Sequence, residues 1–286
     1  MNRYVERAER RAPEGSEPAL APAWQHGDPR ALVAHAAQGG NRALARALLQ
    51  REDTVTEAPP GRGVSTDFGD YWVVPDDTDQ SYPDVIGEQI TETEFAALEQ
   101  AWDKLKDGKG QVVISERDWN GVDHPGFKAK MLLACGQLMS RPLGRDLMVG
   151  LINGGQLVTI QPTEKRMIAA ARRGPGTEEK ADGTAGPGGT TTIRFDDDFD
   201  DKRVEVFDKA GKQIAEPLFI ALGHELVHAK HNAEGRNRRN LASTDPAYPN
   251  REEQETIEGG GLSENTLRAE HGLPARHGHR LKDLRP

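Results

Sequence analysis

The stretch LFIALGHELVHAKHNAEGRNRRN, from Leu218 to Asn240, decides the fold of this chain. Its centre reads HELVH, from His224 to His228. Two histidines four residues apart on a helix lie on one face, one turn apart, so both imidazoles can hold a single metal ion. Glu225 points about 100° around the helix from His224, so it can reach a water on the metal rather than the metal itself. The pattern therefore predicts a zinc-binding helix.

The chemistry that this helix predicts is hydrolysis of peptide bonds. In H-E-x-x-H sites the histidines bind Zn²⁺, which lowers the pKa of a bound water to about 7. Glu225 would be the general base, accepting a proton from the water and passing it to the leaving amine. Leu222, Leu226 and Ala229 predict that the other faces of the helix are buried. The alternative is a core helix with two hydrogen-bonded histidines.

A third protein ligand is needed, because catalytic zinc usually takes three protein ligands and a water. The metzincin continuation is absent, since His231 and Glu234 stand where a glycine and a third histidine would be expected. Asp245 in ASTDPAYPN is one candidate. A helix that starts near Pro249 would bring a glutamate of REEQETIEGG over the histidine pair. Those glutamates are Glu252, Glu253 and Glu255.

The chain from Asp67 onward predicts an α+β domain with a small mixed β-sheet ahead of the HELVH helix. Strands are indicated by YWVVPDD, QVVISE, QLVTIQP and TTTIRFD. Helices are indicated by TETEFAALEQAWDKLKDG, HPGFKAKMLLACGQLMS and LGRDLMVGLIN. Thr91 or Thr93 caps the first of these helices, and Gly108 ends it. A glycine-rich loop precedes the last strand.

Composition excludes several classes of protein. The 286 residues carry a net charge of -9, which argues against a nucleic-acid partner. Cys135 is the single cysteine, so no internal disulfide or cysteine-built zinc site can form, and we expect it to be a small buried hydrophobe. No stretch approaches the roughly 20 apolar residues that span a bilayer. The charged N-terminus lacks the apolar core of a secretory signal peptide, so export would need a dedicated machine.

Residues 1–64 are predicted to be separate from a domain at 65–286. RRAPEGSEPALAPAW has the composition of a disordered tail, DPRALVAHAAQGGNRALARALLQRED could form short helices, and TVTEAPPGRGVSTD is typical of a linker. Within this region, GGNRALARALLQR resembles a segment found near the start of proteins linked to bacterial extracellular contractile injection systems. That resemblance implies a loading or targeting segment, with an injection-system particle as partner.

Four motifs between residues 140 and 279 resemble, in order, those of the NleD-like family of bacterial effector zinc metallopeptidases. They are GGTTTIRFDDD, GHELVHAKHNAEG, EEQETIEGG and SENTLRAEHGLPAR. The second and third also resemble the clostridial neurotoxin light chains. The resemblance implies a zincin-like fold, a Zn²⁺ cofactor and a secreted or injected effector toxin. It also implies a protein substrate in the target cell, host signalling proteins among the candidates.

The same resemblance implies roles for the two adjacent glutamates. In the neurotoxin pattern the second glutamate is the metal ligand, which is Glu253 here, and the first, Glu252, would orient His228. One extra residue, Glu258, precedes the glycine pair of this chain, so Glu252 and Asp245 stay open as alternatives. His231 is expected beside the ligands or at the edge of the site.

Neurotoxin-like sites also place an arginine and a tyrosine, three residues apart, where they stabilise the oxyanion. Arg276 fits the arginine position, and His279 stands where the tyrosine would be expected. An imidazolium could donate the same hydrogen bond. Arg268 is an alternative, although pairing with Glu264 one turn earlier would explain it as well.

Three functions remain open on the sequence alone. The first is an endopeptidase that is delivered into other cells. The second is a non-catalytic, zinc-stabilised module that binds a peptide in the same pocket. The third is a structural component of an injection apparatus with vestigial chemistry.

Overall fold

The computed structural model describes residues 59–82, 85, 87–163, 169–196 and 205–279. These residues contain nine strands and six helices. They all belong to the unit from Pro60 to Pro286. The predicted helices and loading segment within residues 1–58 lie outside the described residues. No helix in the described ranges is long and apolar enough to cross a membrane.

The first sheet has three strands: β1 (Arg62–Thr66), β2 (Gly69–Val74) and β3 (Glu88–Thr91). Strands β1 and β2 are antiparallel, and β2 and β3 are parallel. The predicted domain boundary at residue 64 falls inside β1. Glycines 61 and 63 give this stretch the composition of a linker, but ladder pairing with β2 overrides that local preference.

Helix α1 (Glu92–Asp107) begins and ends as its sequence predicts. The Thr91 side chain accepts from the Glu94 amide, and the Glu94 carboxylate accepts from the Thr91 amide, which forms a capping box. Gly108 ends the helix in the left-handed conformation, with φ of 66°. Three of the apolar side chains that α1 buries are Phe95, Leu98 and Trp102.

The second sheet is the small mixed sheet that the sequence predicts. Its strands are β4 (Val112–Ile114), β5 (Val158–Thr163), β6 (Ala169–Arg173) and β7 (Thr191–Asp196). In the order β4-β5-β7-β6, the first three are parallel and β6 is antiparallel to β7 at the edge. The sequence does not reveal β6, because AAARR lacks the β-branched and aromatic residues that favour strands.

Five further helices surround this sheet or follow it, together with a short hairpin. The helices are α2 (Phe127–Met139), α3 (Pro142–Ile152), α4 (Leu218–Ala233), α5 (Arg251–Glu258) and α6 (Glu264–Glu270). The hairpin consists of β8 (Val206–Phe207) and β9 (Gln213–Ile214). Cys135 on α2 is buried, as predicted, and burial raises the pKa of its thiol to about 12.

Helix α4, which carries HELVH, lies in the middle of the packing. It contacts β6 and β7 on one side and α2, α3, α5 and α6 on the others. Leu222, Leu226 and Ala229 have no measurable exposure, which confirms the predicted packing surface. Gly223 allows the close approach, since a Cβ there would lie 3.0 Å from Leu267 and 3.1 Å from Leu138. Packing on its other faces therefore fixes the position of the side chains on the polar face of α4.

Two glycines of α3 give a matched test of this packing. A Cβ on Gly144 would lie 2.1 Å from the carbonyl oxygen of Leu138 on α2, so α2 and α3 would have to separate. We expect Gly144→Ala to lower the free energy of unfolding by about 1–3 kcal/mol. Gly150 has open space around it, and Gly150→Ala should raise stability by about 0.5–1 kcal/mol. Denaturant unfolding measures both; equal effects would contradict the packing described.

Candidate metal centre

The two histidines of α4 lie side by side on one buried face of the helix. His224 and His228 are 6% and 7% exposed, and their Nε2 atoms are 3.1 Å apart. The rings stand nearly perpendicular, at 83°. Both imidazoles therefore aim the same nitrogen at one point, as the four-residue spacing predicts.

Glu253 reaches the same point from α5. The side chain of Asn250 caps α5 by accepting from the Glu253 amide, at 3.0 Å. Packing of α5 against α4 then carries the Glu253 carboxylate over the histidine pair. Its Oε2 atom lies 3.4 Å from Nε2 of His224 and 3.3 Å from Nε2 of His228.

His279 approaches from the C-terminal segment of the described chain. Its Nε2 atom lies 3.2 Å from Oε2 of Glu253. Donor atoms of His224, Glu253 and His279 all lie within 4.8 Å of one another. His279 therefore lies beside the donor atoms of His224 and Glu253.

These positions fit a zinc ion. Zinc takes nitrogen and oxygen donors at about 2.0–2.2 Å in tetrahedral geometry, which places neighbouring donors about 3.3–3.5 Å apart. The three separations among His224, His228 and Glu253 are 3.1, 3.3 and 3.4 Å. Two imidazoles and a carboxylate also suit the ligand preferences of zinc.

Each ring of the histidine pair is held from behind by a buried carboxylate. Nδ1 of His228 lies 2.8 Å from Oε1 of Glu252, and Nδ1 of His224 lies 2.9 Å from Oε2 of Glu264. A carboxylate on Nδ1 fixes the ring and leaves Nε2 as the donor toward the centre. The hydrogen bond of Glu252 agrees with the orienting role that the sequence predicts for it.

Glu252 gathers further partners around the site. Its Oε1 atom also lies 2.9 Å from Nδ1 of His231, and its Oε2 atom accepts from the amide of Arg238 at 2.9 Å. Thr256, fully buried one turn along α5, lies 3.2 Å from Nδ1 of His228. His231 thus contacts a residue behind the centre rather than the centre itself.

Glu264 belongs to a buried ionic network that the sequence analysis did not predict. Its carboxylate accepts from Nε of Arg268 at 2.7 Å and from Nη1 of Arg276 at 2.9 Å. Arg268 also pairs with Glu216 and donates to the carbonyl of Ala215. The i, i+4 spacing predicts the Arg268–Glu264 pair. The hydrogen bond between Glu264 and His224 joins residues 40 positions apart, so no local pattern predicts it.

The guanidinium of Arg276, which the motif places as an oxyanion donor, is hydrogen-bonded to protein acceptors through all three of its nitrogens. Nη1 binds Glu264, Nε donates to the carbonyl of Gly278 at 3.1 Å, and Nη2 donates to the carbonyl of His279 at 2.7 Å. Each nitrogen of the group thus already has a protein acceptor. The buried Glu264 carboxylate binds the guanidinium as part of the ionic network. The sequence pattern does not predict this contact.

Two of the alternative third ligands lie away from the centre. Asp245 accepts from the amide of Ala247 at 2.8 Å, and its other oxygen lies 4.0 Å from His277. Glu255 faces the opposite side of α5, where it pairs with Arg238 and Arg251. Within the described residues, neither carboxylate contacts the histidine pair.

Charges within the centre are strongly coupled. Burial by itself lowers the pKa of His224, but hydrogen bonds to Glu253 and Glu264 outweigh it and hold the pKa above its usual value. Burial also opposes protonation of His228, yet the charge of Glu253 and a hydrogen bond to Glu252 keep its pKa well above the usual value. Burial raises the pKa of Glu253, but the two histidines hold it well below. A bound cation would replace the positive charge that these protons supply.

Glu225 is buried on α4 at 7% exposure, directly after His224. Its charge contributes to the raised pKa of His228, so it lies within electrostatic range of the centre. The helix holds it beside the ligand face rather than on it, which is the offset that a general base requires.

A histidine pair of an H-E-x-x-H helix that meets a carboxylate from the next helix is a ligand arrangement found in zinc metallopeptidases. The family model Peptidase M91, described as effector protein, matches residues 115–278, more than half of the chain. The chain therefore belongs to this family of effector metallopeptidases, and the resemblance to NleD-like effectors is confirmed. No curated protein and no solved structure matches it.

The buried network predicts unequal effects for two arginines. Arg268→Ala leaves two buried carboxylates short of a partner and should lower the free energy of unfolding by about 3–5 kcal/mol. Arg251 pairs with Glu255 near the surface, with 34% and 23% of the two side chains exposed, so Arg251→Ala should cost about 0–1 kcal/mol. Chemical denaturation of both variants measures the difference, and similar losses would show that the Arg268 network contributes no more than a surface pair.

Proposed function

We propose that this chain is a zinc-dependent endopeptidase with a zincin-like domain, delivered as an effector toxin. One observation carries the proposal: Nε2 of His224, Nε2 of His228 and Oε2 of Glu253 stand at the mutual distances of three donors to one ion. Membership of the Peptidase M91 effector family supports both the reaction and the delivery.

The three metal ligands, the two carboxylates that contact the histidines and the general base have separate roles in this proposal. His224, His228 and Glu253 would hold the zinc ion, with Glu252 and Glu264 fixing the two rings. Zinc, when bound, polarises the scissile carbonyl and makes a water acidic near neutral pH. Glu225 takes the proton of the attacking water and delivers it to the amine of the departing peptide.

The edge of the second sheet supports a peptide as substrate. Within the described residues, strand β6 pairs only with β7, and it lies against α4. An extended segment of a substrate protein could add to this edge as a further strand, so that main-chain hydrogen bonds align it along the helix that carries HELVH. The net charge of -9 favours a basic segment. Host signalling proteins fit the effector family as targets.

Delivery and domain division complete the proposal. We assign the residues ahead of β1 as the loading or targeting segment, recognised by an injection-system particle, and the unit from Pro60 to Pro286, which includes β1, as the peptidase domain. Arg276 acts in this domain as a positioning residue, because its guanidinium holds Glu264 and the carbonyls of the C-terminal segment.

Zinc binding separates the competing third ligands. Glu253→Gln should raise the zinc dissociation constant by about tenfold or more, because removing even an outer partner of a metal ligand costs about 10–100-fold. Asp245→Asn and Glu255→Gln should leave it unchanged, since both carboxylates face other groups. Competition with a chromophoric chelator gives the constants. A loss in Asp245→Asn with none in Glu253→Gln would reverse the assignment.

Proteolysis tests the general base. Wild-type protein loaded with zinc should produce new N-termini in a cell lysate, as identified by terminal-amine proteomics. Glu225→Gln should slow their appearance by about 10²–10⁴-fold while keeping stoichiometric zinc, because the base is lost and the ligands remain. Glu255→Gln, on the far side of α5, is the control and should cleave as wild type does. Zinc binding without any cleavage by wild type would favour the peptide-binding module instead.

A further inference from the structure

We propose that His279 is a fourth protein ligand of the metal, so that the resting centre is closed by three imidazoles and one carboxylate. The inference rests on the proposed zinc site and goes beyond it, because it assigns the position that a catalytic zinc ion usually keeps for water. It replaces the oxyanion role that the sequence predicts for this residue with direct binding in the resting state.

The first argument is the direction and reach of the ring. His279 presents Nε2, the same atom that His224 and His228 present, and this atom lies 3.2 Å from Oε2 of Glu253. That separation matches the spacing of about 3.3–3.5 Å between neighbouring donors on a tetrahedral zinc ion. Donor atoms of His224, Glu253 and His279 lie within 4.8 Å of one another. The ring thus lies at the centre.

The second argument is the way in which the backbone around His279 is held. The His279 amide donates to the carbonyl of Ala247 at 3.0 Å, and the His279 carbonyl accepts from Arg276 at 2.7 Å. One residue earlier, the Gly278 amide donates to the hydroxyl of Tyr248 at 2.9 Å. Gly278 has φ of 78°, a left-handed conformation that suits glycine. This turn fixes the position from which the His279 ring enters the centre.

The third argument is a shared anchor. Oε2 of Glu264 lies 2.9 Å from Nδ1 of His224 and 2.9 Å from Nη1 of Arg276. One buried carboxylate therefore sets the ring of His224 and, through Arg276, the segment that ends in His279. Glu264 thereby fixes the relative positions of His224 and His279, which are 55 positions apart in the sequence. Two ligands of one metal ion would need such a fixed relative position.

A closed donor set has a functional consequence for the proposed peptidase. Structural zinc sites have four protein ligands, whereas catalytic sites leave one position open. Access of a substrate to the metal then requires movement of the segment Arg276–His279. The centre would be latent until substrate or a partner displaces the His279 ring.

The experiment counts imidazole ligands in the zinc-loaded full chain by X-ray absorption spectroscopy at the zinc edge. We expect three imidazoles in the wild type and two in His279→Ala. His277→Ala is the matched control, because the His277 ring contacts Tyr248 and Glu258 rather than the centre, and it should keep three. The zinc dissociation constant should rise about tenfold or more in His279→Ala and stay unchanged in His277→Ala.

Two imidazoles in the wild type would overturn the inference, whether or not the variant folds. An unchanged zinc dissociation constant in a folded His279→Ala protein would also overturn it. Either result leaves the proposed peptidase intact if the wild type binds zinc and cleaves in a manner that depends on Glu225. Failure of the wild type to bind zinc at all would instead defeat the proposed function itself.

Discussion

The hydrogen bond between a buried carboxylate and the rear nitrogen of each histidine is the constraint on which the site depends. Glu252 and Glu264 come from α5 and α6, and both helices pack against α4. A buried carboxylate needs a partner, and an imidazole Nδ1–H provides one while turning Nε2 inward. The packing of α4, α5 and α6 thereby fixes the orientation of the His224 and His228 rings. The H-E-x-x-H spacing alone gives a shared face but not this orientation.

Local signals predicted the elements that depend on local physics. The capping box of Thr91 and Glu94, the terminal Gly108 and the apolar face of α4 are all properties of neighbouring residues. Five strands, β1, β3, β6, β8 and β9, were not predicted, because each has only two to five residues and pairing with a neighbour defines it. The family resemblance covered the region of the chain where spacing alone left alternatives.

The residues of the metal centre also fall into those that local sequence patterns predict and those that they do not. His224, Glu225 and His228 follow from helix geometry, and the resemblance indicated Glu253 among several glutamates. Apart from the Arg268–Glu264 pair, the network of Glu216, Glu264, Arg268 and Arg276 could not be predicted, since tertiary contacts join the loop after β9 to α6 and the C-terminal segment. Arg276 shows the difference most clearly, because the motif position indicates an oxyanion donor but gives no sign of the hydrogen bond to the buried Glu264 carboxylate.

Every donor and every charged anchor of the centre lies between Glu216 and His279, whereas the three-stranded sheet and α1 come from the first half of the described chain. Binding of an ion would therefore stabilise one contiguous stretch of the chain, from α4 through α6 to the segment after it. Stability would then be distributed unevenly along the polypeptide. Loss of the ion would selectively increase local opening of α5, α6 and the segment after them, while α4 stays packed against the second sheet, α2 and α3.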